Sequence, residues 1–401
     1  MDPLNHNAEN IAASVRNVLS KWNLETKVNA IVTDNASAMI KSCEILQKRH
    51  FPCFAHCLNL VVQDCLEENS IKHVLTKCKK IVKFFKCSTI AYEKFKQAQG
   101  DNAYSLIQEV STRWNSAFKM VERILATKEF LSPVLLSLSR APDPLTADDI
   151  ELLEDIQTIL APFDYVTTQC SSSSKVTSSL IVPLTNGLVE GLNDQFGRLK
   201  TVDGQQACRF LQDRARIRLF PFEERSTARL ATIMDPRFKK EGFRSPFNAE
   251  QAAVLLERSL STNTIAGADA EEGDSQETAV EPPVTPNAAE PLLKFLSSNI
   301  EKKKRTKKVD VILVMRHYFE GINSDISSNP LEYWRSNESD QPALAKLAKK
   351  ALCVPATSTE SERMFSKAGQ IISERRSSLK PNIVDQLLFI NKNWWITESN
   401  I

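Results

Sequence analysis

Ala30-Ile31-Val32-Thr33-Asp34-Asn35 is the stretch on which the fold class turns. The β-branched and apolar residues from Val28 to Val32 have a short strand pattern, and the run ends in Thr33 followed at once by a carboxylate. Before it, Ile11, Val15, Val18 and Leu19 recur at helical spacing between Ala8 and Trp22, so the chain opens helix, then strand. Open α/β sheets collect ligands outside the carboxyl ends of their strands, which makes Asp34 a suitable metal-binding carboxylate. Taken alone, Asp34-Asn35 reads more readily as the cap of the next helix, since both residue types are favoured there.

Working outward, Phe54, Leu58, Val61, Val62 and Cys65 lie at helical spacing, and His73 to Phe85 mixes apolar and lysine positions, so both segments are expected to be amphipathic helices. Leu106, Ile107 and Val110 suggest a short strand leading into Ser111-Thr112-Arg113-Trp114. From Asn115 to about Arg258 the pattern is helical. The stretch 261–290 carries seven acidic residues and one large aliphatic before Val280, too little apolar surface to order itself. Six basic residues follow between Glu301 and Lys308, among them Lys302, Lys303, Lys304 and Arg305; this run suits phosphate contact or nuclear import, and equally a solvated boundary.

A composition of 42% hydrophobic and 25% charged residues is that of a folded globular protein, and a net charge of +2 means that nucleic-acid affinity must come from local basic clusters. Nine scattered cysteines without a CxxC pair fit reduced thiols of the cytosol or nucleus. Neither a secretory leader nor an apolar run long enough for a bilayer is visible, and no membrane association or small-molecule substrate is expected. Cys53 and His56, with Cys43 and Cys57 nearby, have zinc-ligand chemistry but no second ligand pair at finger spacing, so packing of small thiols on one helix face is the better expectation. Thr359 and Glu362 have capping-box spacing, and Val384, Leu387, Leu388, Asn391 and Trp395 form a stripe that needs a partner surface.

Taken in order, Val32-Thr33-Asp34-Asn35-Ala36, Cys53-Phe54-Ala55-His56-Cys57-Leu58-Asn59-Leu60, Thr112-Arg113-Trp114-Asn115-Ser116, Met234-Asp235-Pro236-Arg237-Phe238-Lys239 and Ser361-Glu362-Arg363-Met364-Phe365-Ser366 resemble the successive blocks of hAT-family transposases, most of all the BED-zinc-finger proteins derived from them. The resemblance implies a helix-rich α/β fold: an incomplete ribonuclease-H-like core interrupted by a large all-α insertion. The expected parts are 1–114 as partial core, 115–340 as insertion with the acidic linker 261–290, and 341–401 as the C-terminal dimerisation region completing the core.

In that family two aspartates and a glutamate hold two divalent metals for DNA cleavage and strand transfer. By motif Asp34 matches the second aspartate and Glu362 the glutamate; the first aspartate, with three front strands and the BED finger, is expected upstream of residue 1. Asp34 and Glu362 are therefore expected to be remnants that bind metal weakly at most, and Mg2+ or Mn2+ would enter only if the site were complete. An upstream segment supplying that aspartate would make the chain an active transposase, while a scaffold that binds no DNA is the other alternative. The resemblance also implies that Cys53, His56, Arg113 and Trp114 handle DNA, with Trp114 either stacking on bases or packing in the core. It further implies homodimerisation in the nucleus, for which Trp334, Phe365, Leu387, Leu388, Trp394 and Trp395 are the expected contacts.

Overall fold

The structure is a computed structural model that describes residues 7–110, 113–268, 307–372 and 379–394. Contacts divide the chain into two units: the first comprises 1–177, 187–221 and 355–401, the second 178–186 and 222–354. The helices from 114 to 177 bury their faces in the first unit, and 341–354 belongs to the second. The basic run Lys302, Lys303, Lys304 and Arg305, and Trp395, lie outside the described residues.

The first unit opens with α1 (Ala8–Lys21), capped by Asn7, whose side chain accepts from Asn10 N. Strand β1 (Ile31–Thr33), α2 (Ser37–Ile45) and β2 (His50–Pro52) follow, and the two strands pair in parallel with Ile31 opposite His50 and Thr33 opposite Pro52. Joining parallel strands requires a crossover, which α2 supplies. Three strand residues suffice here because Phe51 and Phe54 are fully buried and anchor the turn into α3 (Phe54–Leu66). Among the described residues these are the only strands. The expected strand at 106–110 is absent: it has no partner strand there, and the Val110 amide instead donates to Ser116 Oγ at 2.8 Å.

Helix α4 (Asn69–Cys87) buries Ile71, Val74, Leu75, Cys78, Ile81, Val82 and Phe85, and α5 (Thr89–Gln99) packs against it. Helices α6 (Trp114–Leu136) and α7 (Ala147–Cys170) pack on one another. The latter starts at a capping box in which Thr146 and Asp149 satisfy each other's backbone, while Lys77 closes on Asp149 at 2.8 Å. Burial pushes the Cys65, Cys78 and Cys170 thiols up to about 12, which leaves them protonated and inert as nucleophiles. Helix α8 (Ile181–Phe196) runs from the second unit back into the first, and α9 (Val202–Leu219) packs against α3 and α7.

A buried carboxylate sets the start of α9. Asp155 accepts from Lys200 N at 2.9 Å, Thr201 N at 2.8 Å and Thr201 Oγ1 at 2.7 Å, and Thr201 Oγ1 in turn accepts from Gly204 N. A Cβ on Gly204 would stand 2.3 Å from Asp155 Oδ2. Gly204→Ala must therefore displace the cap, and it is expected to lower stability by about 1–3 kcal/mol despite alanine's better helix propensity. A thermal melt equal to wild type would show that the cap yields freely.

In the second unit, α10 (Ser226–Ile233) packs on α11 (Pro246–Ala268) and α14 (Pro342–Leu352), with α12 (Lys307–Glu320) and α13 (Pro330–Ser336) completing the bundle. The turn after α10 holds it together. Trp334 Nε1 donates to Met234 O at 2.7 Å and the Tyr318 hydroxyl to Ile233 O at 3.1 Å, satisfying carbonyls that a helix end leaves orphaned. Lys239, in the left-handed region at φ 43°, reaches inward over the Tyr318 ring and donates to Gly321 O at 2.7 Å. Burial holds its ammonium pKa below the usual lysine range.

Candidate nucleic-acid cleft

The site is built where residues 355–359 return to the β2–α3 corner of the first unit. Phe54 N donates to Ala356 O at 2.9 Å, Ala356 N to Thr177 Oγ1 at 2.9 Å and Ser358 N to Cys53 Sγ at 3.3 Å. Cys53 is thus a buried acceptor that fixes the returning segment. Trp114 N donates to Asn59 Oδ1 at 3.2 Å, which sets the first turn of α6 beside α3. Helix α15 (Thr359–Ile371) starts from this junction and α16 (Pro381–Asn393) packs along it.

These elements enclose a cleft of about 770 Å³. His56 and Asn59 of α3, Arg113, Trp114 and Asn115 at the start of α6, Thr167 of α7 and Ser171 just after it, and Thr359, Glu362, Arg363 and Lys367 of α15 are among its lining residues. Four residues singled out in the sequence, His56, Arg113, Trp114 and Glu362, are therefore brought together from three segments that are far apart in the chain. The lining holds three strongly basic side chains, Arg113, Arg363 and Lys367, against one carboxylate, Glu362. The first turns of α3, α6 and α15 all border it, and the positive end of a helix dipole favours anions.

Asp34 is not among the lining residues. It is exposed, and its Oδ1 accepts from Ala36 N at 3.3 Å ahead of α2, a turn-forming role. Among the described residues no three His, Cys, Asp or Glu side chains form a group able to hold a metal ion. The donor set around Glu362 consequently does not fit a pair of divalent cations, which need clustered hard oxygens. Trp114 is 2% exposed and packs against Phe118 and Phe163 at centroid distances of 6.1 and 6.4 Å. Of the two readings of this indole, the structure adopts core packing, with the residue bordering the cleft.

The expected dimer contacts separate into two kinds. Trp334, only 1% exposed, is a core residue of the second unit, and its assignment to an interface is corrected: its ring and its N–H are both consumed internally. Phe365, Leu387 and Trp394 are exposed, Phe365 by 77%, and Leu388 is half-buried. Helix α15 buries no residue and α16 only Val384. What joins the two helices is polar: Lys367 to Asn391, and Lys392 to Glu360, whose carboxyl the Lys392 ammonium holds below its usual range with Arg363 adding to the effect. Sequence reasoning missed Phe389, Ile390 and Trp22. Phe389 stacks on Trp22 at 6.4 Å, so the apolar surface extends to the residue that caps the end of α1. No helix among the described residues is long and apolar enough to cross a membrane.

Three family descriptions match the chain: the ZBED1 RNase-like domain over residues 1–59, the ZBED1 RNase-like helical domain over 51–159, and the hAT family C-terminal dimerisation region over 315–394. The chain is 26% identical over 373 residues to zinc finger BED domain-containing protein 4 of Homo sapiens, a match covering 92% of this chain and 31% of that protein. It is 27% identical over 406 residues to zinc finger BED domain-containing protein 6 of Homo sapiens, covering 90% and 40%. The putative AC transposase of Zea mays is 23% identical over 445 residues, covering 97% of this chain and 51% of that protein. The chain thus spans between about a third and a half of the length of these relatives.

Proposed function

We propose, from the premise that this chain is hAT-transposase-like and carries the hAT dimerisation region behind ZBED1-type RNase-like domains, that it works in the nucleus as a homodimer holding DNA in the His56–Glu362 cleft without cutting it. In this reading β1 and β2 belong to a ribonuclease-H-like core into which the central helices are inserted. The observation that carries it is the make-up of the cleft: three basic side chains and three helix starts face a space with a single carboxylate. Basic groups and helix N-termini favour phosphate, whereas phosphoryl transfer by metal ions requires several acidic ligands. Dimerisation is supported separately by the region matched at 315–394 and by the apolar surface of α15 and α16.

Two measurements test the parts. Light scattering over a range of concentrations should give twice the 45.1 kDa chain mass; a monomer throughout would sink the dimer. Labelled duplex and single-stranded DNA should bind, and Arg113→Ala with Arg363→Ala should weaken binding about 10-fold or more, since two phosphate contacts are removed. Strand cleavage in Mg2+ or Mn2+ that Glu362→Gln abolishes would overturn the non-catalytic assignment.

A further inference from the structure

The strongest charge on the described chain lies outside the cleft. Residues 69–99, which include α4 and α5, contain eight lysines (Lys72, Lys77, Lys79, Lys80, Lys83, Lys86, Lys94 and Lys96) and one acid, Glu93, a local charge of +7 in a chain whose net charge is +2. Three of these charges are answered: Lys72 pairs with Glu67, Lys77 with Asp149 and Lys79 with Glu109. Lys80, Lys83, Lys86, Lys94 and Lys96 are exposed, and among the described residues none of the five makes an ion pair.

Geometry arranges these charges in a line. At 100° per residue Lys72, Lys80, Lys83 and Lys86 fall within an arc of about 120° on α4, opposite the buried stripe from Ile71 to Phe85. The three without an ion partner, Lys80, Lys83 and Lys86, extend over about 9 Å of helix, and Lys72, paired with Glu67, lies further along the same arc. An ordinary solvated helix face alternates signs at i,i+4 spacing to relieve repulsion; α4 contains no Asp or Glu at all. At the C-terminal end of the line lies a second cavity, of about 380 Å³, bordered by Lys86, Thr89 and Tyr92, whose ammonium and hydroxyl groups are phosphate donors.

We infer that the lysine line of α4, continued by Lys86, Thr89 and Tyr92, is a binding surface for the phosphate backbone of duplex DNA, separate from the cleft. The choice of DNA as the polyanion rests on the function proposed above; the surface itself does not. Charge complementarity favours a duplex, whose phosphates recur along a strand across the span of Lys80, Lys83 and Lys86. An anionic lipid surface fits less well. A helix lying in a membrane interface inserts an exposed apolar face, and the apolar face of α4 is buried in the fold with no large hydrophobic residue of 69–87 exposed.

The test uses the full chain, a labelled 20-base-pair duplex of random sequence and a salt titration. The variant Lys80→Gln/Lys83→Gln/Lys86→Gln removes three exposed charges that have no ion partner, so its thermal melt should match wild type. Its slope of log K against log salt should fall by about 2.7, and its affinity near 0.1 M salt roughly 100-fold. The triple Lys→Arg variant should retain both. Unchanged affinity and slope in the glutamine variant would overturn the surface, and the cleft reading would survive if Arg113→Ala/Arg363→Ala still weakens binding. Loss in the glutamine variant with no effect of the cleft pair would support the surface and sink the cleft. Wild-type binding to phosphatidylserine vesicles but not to the duplex would overturn DNA as the partner.

Discussion

Asp235→Ala is expected to destabilise the second unit by about 3–5 kcal/mol, the usual consequence of stranding one member of a buried ion pair. Asp235 is wholly buried. Its Oδ1 accepts from Arg237 N at 3.1 Å and Nε at 2.9 Å, and its Oδ2 from an Arg237 terminal nitrogen and from Ser179 Oγ, both at 2.6 Å. Removing the carboxylate leaves a guanidinium that is nearly enclosed and a serine hydroxyl without an acceptor. Conversely, Asp235→Ala combined with Arg237→Met should recover part of the loss, because neither charge is then left uncompensated. Urea unfolding followed by circular dichroism checks both; a single variant less than 1 kcal/mol below wild type would mean that the knot is worth no more than an exposed pair.

The second large effect concerns assembly. Phe365→Glu together with Phe389→Glu should turn the dimer into a monomer that is still folded, with an unchanged far-ultraviolet circular dichroism spectrum. Both rings are exposed in the single chain, by 77% and 57%, so the isolated fold loses little with them. In a two-fold interface every substitution counts twice. Four large apolar groups at about 1.5 kcal/mol each sum to about 6 kcal/mol, on the order of 10⁴-fold in dissociation constant. Ile90→Glu, on an equally exposed side chain of α5, serves as the control and should leave the mass unchanged. Sedimentation of the double variant as an unperturbed dimer would place the interface elsewhere.

These outcomes bear on different links between sequence and function. In the block Met234-Asp235-Pro236-Arg237-Phe238-Lys239 the wholly buried Asp235 holds Arg237 and Ser179, while the Ile233 and Met234 carbonyls beside it take the Tyr318 and Trp334 donors, so the motif is architectural. The lysine line of α4 has the opposite character. In the sequence its positions are only interruptions of an apolar pattern. Whether a lysine is neutralised depends on acids such as Asp149 and Glu109 that lie far away in the chain.

The helix-rich class, the opening helix and strand, the amphipathic helices after Cys53, and His56, Arg113, Trp114 and Glu362 as members of short motifs are legible in the residues alone. Periodicity and short motifs are local properties, and local properties survive translation into structure. Strand β2 was not legible, because three residues ending in Pro52 carry no alternation and become a strand only by pairing with β1. The tertiary structure alone decided that Leu106–Val110 forms no strand, that Trp334 is core, that Asp34 stays outside the cleft, and that residues after Pro355 return to the β2–α3 corner. Each of these depends on which distant segment arrives to bury a ring, accept an N–H or leave a face uncovered, and that arrival is fixed by packing of the whole chain.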